Sequence, residues 1–188
     1  MLRGDTMLKT KDIIDEFDKR IRLVSKDVTF PLDDKTKKTI EDSIEMLRLS
    51  QIDEYSKKYD LRPGMGLSLI QLGIAKRIFV IVYEYEEGKF ETYTVINPKI
   101  LSESEEKIYV SEGEGCLSIN RPIEGIVPRS ARISVEYYDM DGNKIEKRFR
   151  EELAIVFQHE YDHLDGILFY DRIDPKDPYK YKDIYRGI

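Results

Sequence analysis

His159 and His163 are the only histidines in the 188-residue chain, and they stand four positions apart with Glu160 between them. On a helix, residues four apart share one face, a turn from each other, so both imidazoles can reach the same ion. Glu160 then lies about 100° around the helix, where its carboxylate can touch a water beside the ion without ligating it. Leu153, Ile155, Val156 and Phe157 supply the apolar residues that a packed helix needs just upstream. The alternative, two solvated helix histidines, explains neither the enclosed glutamate nor the lack of histidine elsewhere. The pattern predicts a helix from about Glu151 to Asp165, stopped by Gly166, with a divalent ion against one face.

Two imidazoles leave a tetrahedral site short of a protein ligand, and without a third histidine the missing donor is a carboxylate or a thiolate. Cys116, the one cysteine, follows Gly113-Glu114-Gly115, a flexible segment able to bring backbone close to an ion. By number alone a lone thiol is a core residue; its neighbours make Cys116 the obvious candidate. A set of Cys116, His159 and His163 leaves a fourth position for water, and one thiolate leaves a divalent ion net positive, able to acidify that water. A closed structural site would need a fourth side chain, and none nearby is compelling. One cysteine also excludes an intramolecular disulfide.

The formal charge of −6 argues against sequence-independent nucleic-acid binding, which needs a basic face. No apolar run approaches the roughly 18 residues of a membrane span. No apolar stretch follows Arg3 as in a secretory signal, and Asp5, Asp12, Asp15 and Glu16 come too early for a transit peptide. The expected location is the cytoplasm. The length suits one domain spanning residues 1–188, with 1–8 disordered or added and Met7 as a second start.

Along the chain, Ile13, Ile14 and Phe17 suggest a short amphipathic helix or turn over 9–20. A longer helix follows, capped at its N-terminus by Asp33 or Asp34, with Ile40, Ile44, Leu47 and Ile52 on one face. Residues 50–63 read as a helix end plus loop, and Gly64-Met65-Gly66 as a tight turn. Strands are expected at 77–85 and 90–96 around the turn Glu86-Glu87-Gly88-Lys89. Further strands are expected at 107–110, 133–138 and 144–149, the last two flanking Asp141-Gly142-Asn143. The fold class is α+β, mostly antiparallel sheets packed around a central metal-binding helix.

Three segments then carry a family resemblance. Gly64-Met65-Gly66-Leu67-Ser68-Leu69-Ile70-Gln71, Glu114-Gly115-Cys116-Leu117-Ser118 and Gln158-His159-Glu160-Tyr161-Asp162-His163-Leu164 resemble, in order, the signature segments of peptide deformylases. Asn97-Pro98-Lys99-Ile100 and Val127-Pro128-Arg129 look like that family too, over roughly 30–173. The loop before Gly64, the insert between Ser118 and Val127 and the short tail resemble the bacterial class of Gram-positive lineages. One departure stands out: Ser68 and Leu69 replace two small alanines, and overpacking by leucine typically costs about 1–3 kcal/mol.

The resemblance implies hydrolysis of the N-terminal formyl group of N-formylmethionyl polypeptides, releasing formate, by a monomer that meets nascent chains transiently at the ribosome. It implies Fe2+ in the cell, with Zn2+, Ni2+ or Co2+ able to replace it. Glu160 would be the general base, and the Leu117 N–H and Gln71 amide the donors to the oxyanion. Met65, Ile155 and Val156 would line the methionine pocket, and the Gly66 carbonyl would meet the substrate backbone. Arg129 and Asp162 are candidates for an ion pair holding the metal helix. Glu152, where the family is usually apolar or aromatic, either complements the helix dipole or rims that pocket and disfavours acidic peptides. The rival readings are a metallopeptidase and a degenerate, non-catalytic metal-binding module.

Overall fold

The computed structural model describes residues 7–188. Its centre is β2 (Ile78–Glu86), whose run Ile78-Phe79-Val80-Ile81-Val82 is buried on both faces. Successive strand side chains point to opposite faces. Ile78, Val80 and Val82 therefore enter one core with Ile40, Met46 and Leu47, while Phe79 and Ile81 enter another with Ala154, Phe157 and Leu164. Helix α1 (Asp34–Ser50) covers the first face and α3 (Glu151–Leu164) the second. Asp33 caps α1 by accepting from the Thr36 N–H at 2.8 Å.

The five-stranded sheet runs in the order β1 (Gly66–Ser68), β2, β3 (Lys89–Glu103), β6 (Arg132–Tyr138), β7 (Lys144–Arg150), antiparallel throughout. A second sheet places β4 (Lys107–Tyr109) between β5 (Arg129–Ser130) and β8 (Arg186–Gly187), with β8 parallel to β4. The α+β class with a metal-site helix packed on mostly antiparallel sheet is as expected. Strand β7 passes into α3 without a loop, through Glu151 in the left-handed region (φ 52). The Glu151 N–H donates to the Ala131 carbonyl, and Arg186 pairs with the Glu151 carboxylate.

Several boundaries differ from the sequence reading. The helix or turn expected over 9–20 is two separate 3-10 turns, Thr10–Asp12 and Lys19–Arg22, and not one amphipathic helix. Between them the backbone is spent elsewhere: Ile14 N–H donates to the Gln71 carbonyl and Glu16 N–H to the Ser118 carbonyl. The stretch read as loop after α1 holds a short helix, α2 (Asp53–Tyr59). It fully buries no residue, and only Tyr55 and Tyr59, four apart, pack against the core from it, too few to mark an apolar period; acids in its first turn and lysines in its last complement the helix dipole. The tight turn expected at Gly64-Met65-Gly66 leads into edge strand β1, since Met65 accepts from the Val82 N–H. Strand β3 continues past Pro98 because Asn97 (φ 48) marks a register shift, where proline is tolerated. The Asn97 side chain is pinned to the backbone of Val28. Of the N-terminal residues expected to be disordered, Met7 and Leu8 pack against the core; residues 1–6 lie outside the described residues.

Phe157 is fully buried between Phe79 and Phe149, with ring centroids 5.0 and 5.2 Å away. Phe157→Ala is expected to lower unfolding free energy by about 3–5 kcal/mol in urea titration, because the aromatic cluster joining α3 to the sheet cannot close the gap.

Candidate metal centre

His159, Glu160 and His163 sit on the buried side of α3, with the two imidazole centroids 5.0 Å apart. Gly166 (φ 70) ends the helix where a Cβ would stand 2.3 Å from the Arg22 carbonyl oxygen, so only glycine fits that crossing. Cys116 comes from the loop between β4 and β5, and its Sγ lies 3.3 Å from His163 Nε2. Donor atoms of Cys116, His159 and His163 all lie within 4.8 Å of one another. Arg62 shapes the loop by donating to the carbonyls of Cys116, Leu117 and Ile119.

A buried imidazole ligates well when its other nitrogen is held. His159 Nδ1 lies 2.8 Å from Glu114 Oε2, which turns Nε2 toward the thiol. Glu114 also receives two hydrogen bonds from Arg129, whose third donor reaches Asp162 on α3. Burial raises the Glu114 carboxyl, but the charge and hydrogen bonds of Arg129 overcome it and bring the pKa down to about 2. Arg172 closes Asp162 from the outside. The Arg129–Asp162 pair matches the sequence expectation. Glu114 as the partner of His159 was missed; the available signal was an acid two residues before the candidate ligand, which a buried ring nitrogen needs.

Glu160 is buried, and burial pushes its carboxyl above the ordinary carboxylate range, opposed by neighbouring His159 and by the Ser68 hydroxyl. Its Oε2 accepts from Ser68 Oγ at 2.8 Å. Gln71 is oriented from both ends: its Oε1 accepts from the Ser68 N–H, and its Nε2 donates to Ser118 Oγ at 3.1 Å while lying 3.6 Å from Cys116 Sγ. One cavity of about 410 Å³ is lined by Met65, Gly66, Gln71, Cys116, Leu117, Ile155, Val156, His159 and Glu160. Of the residues singled out for the site, His163 alone does not line it. Glu152 and Arg62 do. Leu69 does not: it is buried in the core on the α1 side, so its volume falls behind the groove wall.

A thiol and two imidazoles suit iron, zinc, nickel or cobalt better than the hard oxygen-seeking ions. The donors converge while a carboxylate stands beside them in an open cavity, so fold and centre define a metal-dependent hydrolase. The family model of polypeptide deformylases matches residues 10–179. The peptide deformylase of Shouchella clausii (strain KSM-K16) is 45% identical over 175 residues, 93% of this chain and 96% of that protein. Peptide deformylase 2 of Bacillus subtilis (strain 168) is 42% identical over 174 residues, 93% of this chain and 95% of that protein. The crystal structure of peptide deformylase from Thermotoga maritima superposes with a TM-score of 0.67 at 38% identity, covering 87% of this chain and 97% of that one. That from Thermus thermophilus gives 0.71 at 32%, covering 88% and 86%. The chain belongs to the peptide deformylase family, with Gram-positive relatives as its motifs implied. It is thus an enzyme for metal-dependent removal of the formyl group from N-formylmethionyl polypeptides, with release of formate. The metallopeptidase reading falls with that membership.

Glu114→Gln keeps an acceptor for His159 but removes its charge. It is expected to weaken metal retention about 10- to 100-fold in chelator competition.

Proposed function

We propose that Cys116, His159 and His163 hold one divalent ion and that Glu160 moves the proton in formyl hydrolysis. The observation carrying this reading is the meeting of the Glu160 carboxylate, the Cys116 thiol and the His159 ring with apolar Met65, Ile155 and Val156 in one cavity. When bound, the ion supplies positive charge that acidifies water and polarises the formyl oxygen. Glu160 takes the proton as water oxygen bonds to the formyl carbon. Charge then gathers on the formyl oxygen, where the Leu117 N–H and the Gln71 amide donate; one such donor is typically worth about 3–4 kcal/mol. Glu160 returns the proton to the nitrogen as the C–N bond breaks, leaving formate and a free amino terminus.

Met65, Ile155 and Val156 receive the methionine side chain, and the Gly66 carbonyl accepts from the substrate backbone. Fe2+ is the ion in the cell, with Zn2+, Ni2+ or Co2+ as substitutes. Residues 1–188 form one catalytic domain, acting as a monomer in the cytoplasm on chains emerging from the ribosome. No helix among the described residues is long and apolar enough to cross a membrane.

Formate release from formyl-Met-Ala tests the reading. Wild-type protein loaded anaerobically with iron is expected to turn over, and the metal-free protein is not. Glu160→Gln keeps the metal and loses about 100-fold or more in kcat, while Cys116→Ala fails to retain the metal. Turnover by Glu160→Gln within a few-fold of wild type would refute the assignment.

Glu152 lies exposed at the same cavity as Ile155 and Val156 while also standing in the first turn of α3. A carboxylate there repels acidic peptides. Glu152→Leu is expected to narrow the difference in kcat/KM between formyl-Met peptides with acidic and with neutral second residues. An unchanged ratio assigns Glu152 to the helix dipole alone.

A further inference from the structure

Strand β1 brings two of its three residues to the same carboxylate. Alternate side chains of a strand share a face, so Gly66 and Ser68 both face α3 while Leu67 enters the core on the α1 side. At Gly66 a Cβ would stand 2.4 Å from Glu160 Oε1, so the missing side chain is the space the carboxylate fills. Ser68 is fully buried, and its Oγ lies 2.8 Å from Glu160 Oε2 and 2.9 Å from the Glu160 carbonyl oxygen. One carboxylate oxygen rests against backbone and the other is held by a hydroxyl.

A hydroxyl donates one proton and can accept as well. Turned toward Oε2, the Ser68 hydroxyl donates to an ionised carboxylate. When Oε1 carries the proton taken from water, Oε2 remains an acceptor and the hydroxyl goes on donating to it. The contact therefore survives both halves of the proton shuttle, and neither state requires the side chain to move. Alanine at this position would leave Oε2 buried without that partner.

We propose that Ser68 is a positioning residue for deformylation, holding the Glu160 side chain in the one orientation from which it takes and returns the proton. The proposal rests on the role given to Glu160 above. Replacement by alanine removes a single oxygen and adds no volume, so the fold and the cavity are preserved.

Ser68→Ala is expected to lower kcat for formyl-Met-Ala by about tenfold or more, the scale of a lost hydrogen bond to a charged group, with KM within about twofold. Metal content and the folded-state circular dichroism should match wild type, and a crystal structure of the metal-loaded variant should show the Glu160 carboxylate in more than one orientation. In a Glu160→Asp background, whose shorter side chain no longer reaches Ser68, adding Ser68→Ala should cost nothing more. The proposal is overturned if kcat of Ser68→Ala stays within about twofold of wild type, if the loss comes with raised KM or lost metal, or if the two losses add in the double variant. An inactive Glu160→Gln beside an unimpaired Ser68→Ala removes only the positioning role; an active Glu160→Gln removes the reading of Glu160 and this inference with it.

Discussion

Arg129 joins the two halves of the metal centre. Its guanidinium is buried between Glu114, on the loop that carries Cys116, and Asp162, on the helix that carries both histidines. Taking charges out of water costs several kcal/mol per ion, so such an arrangement persists only where each group is satisfied. Here it is: Glu114 meets Arg129 with both oxygens and His159 with one, and Asp162 meets Arg129 and Arg172. Removing any one charge strands the others in the interior, so the set acts as a unit. Loop and helix are held in one register by it, and the thiol meets the imidazoles there.

The surroundings of Glu160 follow from a different economy. A carboxylate at the floor of a cavity is useful only if it is both reachable and oriented. Reach comes from Gly66, whose lack of a side chain opens the space beside the carboxylate. Orientation comes from neighbouring strand and loop atoms. Gln71, one 3-10 turn further along, is fixed by the Ser68 N–H and by Ser118. The segment from 64 to 71 thus supplies pocket wall, carboxylate seat and a side-chain amide from eight consecutive residues.

Much of this was legible beforehand because the signals were periodic or chemically specific. The helix with His159, Glu160 and His163, the β2–β3 and β6–β7 hairpins and α1 each announced themselves by spacing or by turn residues. What escaped notice lacked one of those marks. Helix α2 turns only Tyr55 and Tyr59 to the core and fully buries neither, and strands β5 and β8 are two residues long. The second half of β3 lies beyond a proline, which reads as a stop unless the bulge at Asn97 is known. The N-terminal apolar residues mimicked one face although they serve different ends: Ile13 packs against the core on the α1 side, Ile14 against the cluster of Leu168 and Phe169, and Phe17 is exposed. In the site, the residue types were visible but their partners were not: Glu114 could be seen beside Cys116, yet its bond to His159 spans 45 positions.

The strap formed by residues 14–16 has an implication for protein engineering. It is hydrogen-bonded through Ile14 to the carbonyl of Gln71 and through Glu16 to the carbonyl of Ser118. Two segments that are remote in the chain, and that each carry part of the chemistry, therefore share one tether. A loop graft from a relative at either place perturbs the other through it, so the strap and both loops are properly exchanged as a single cassette.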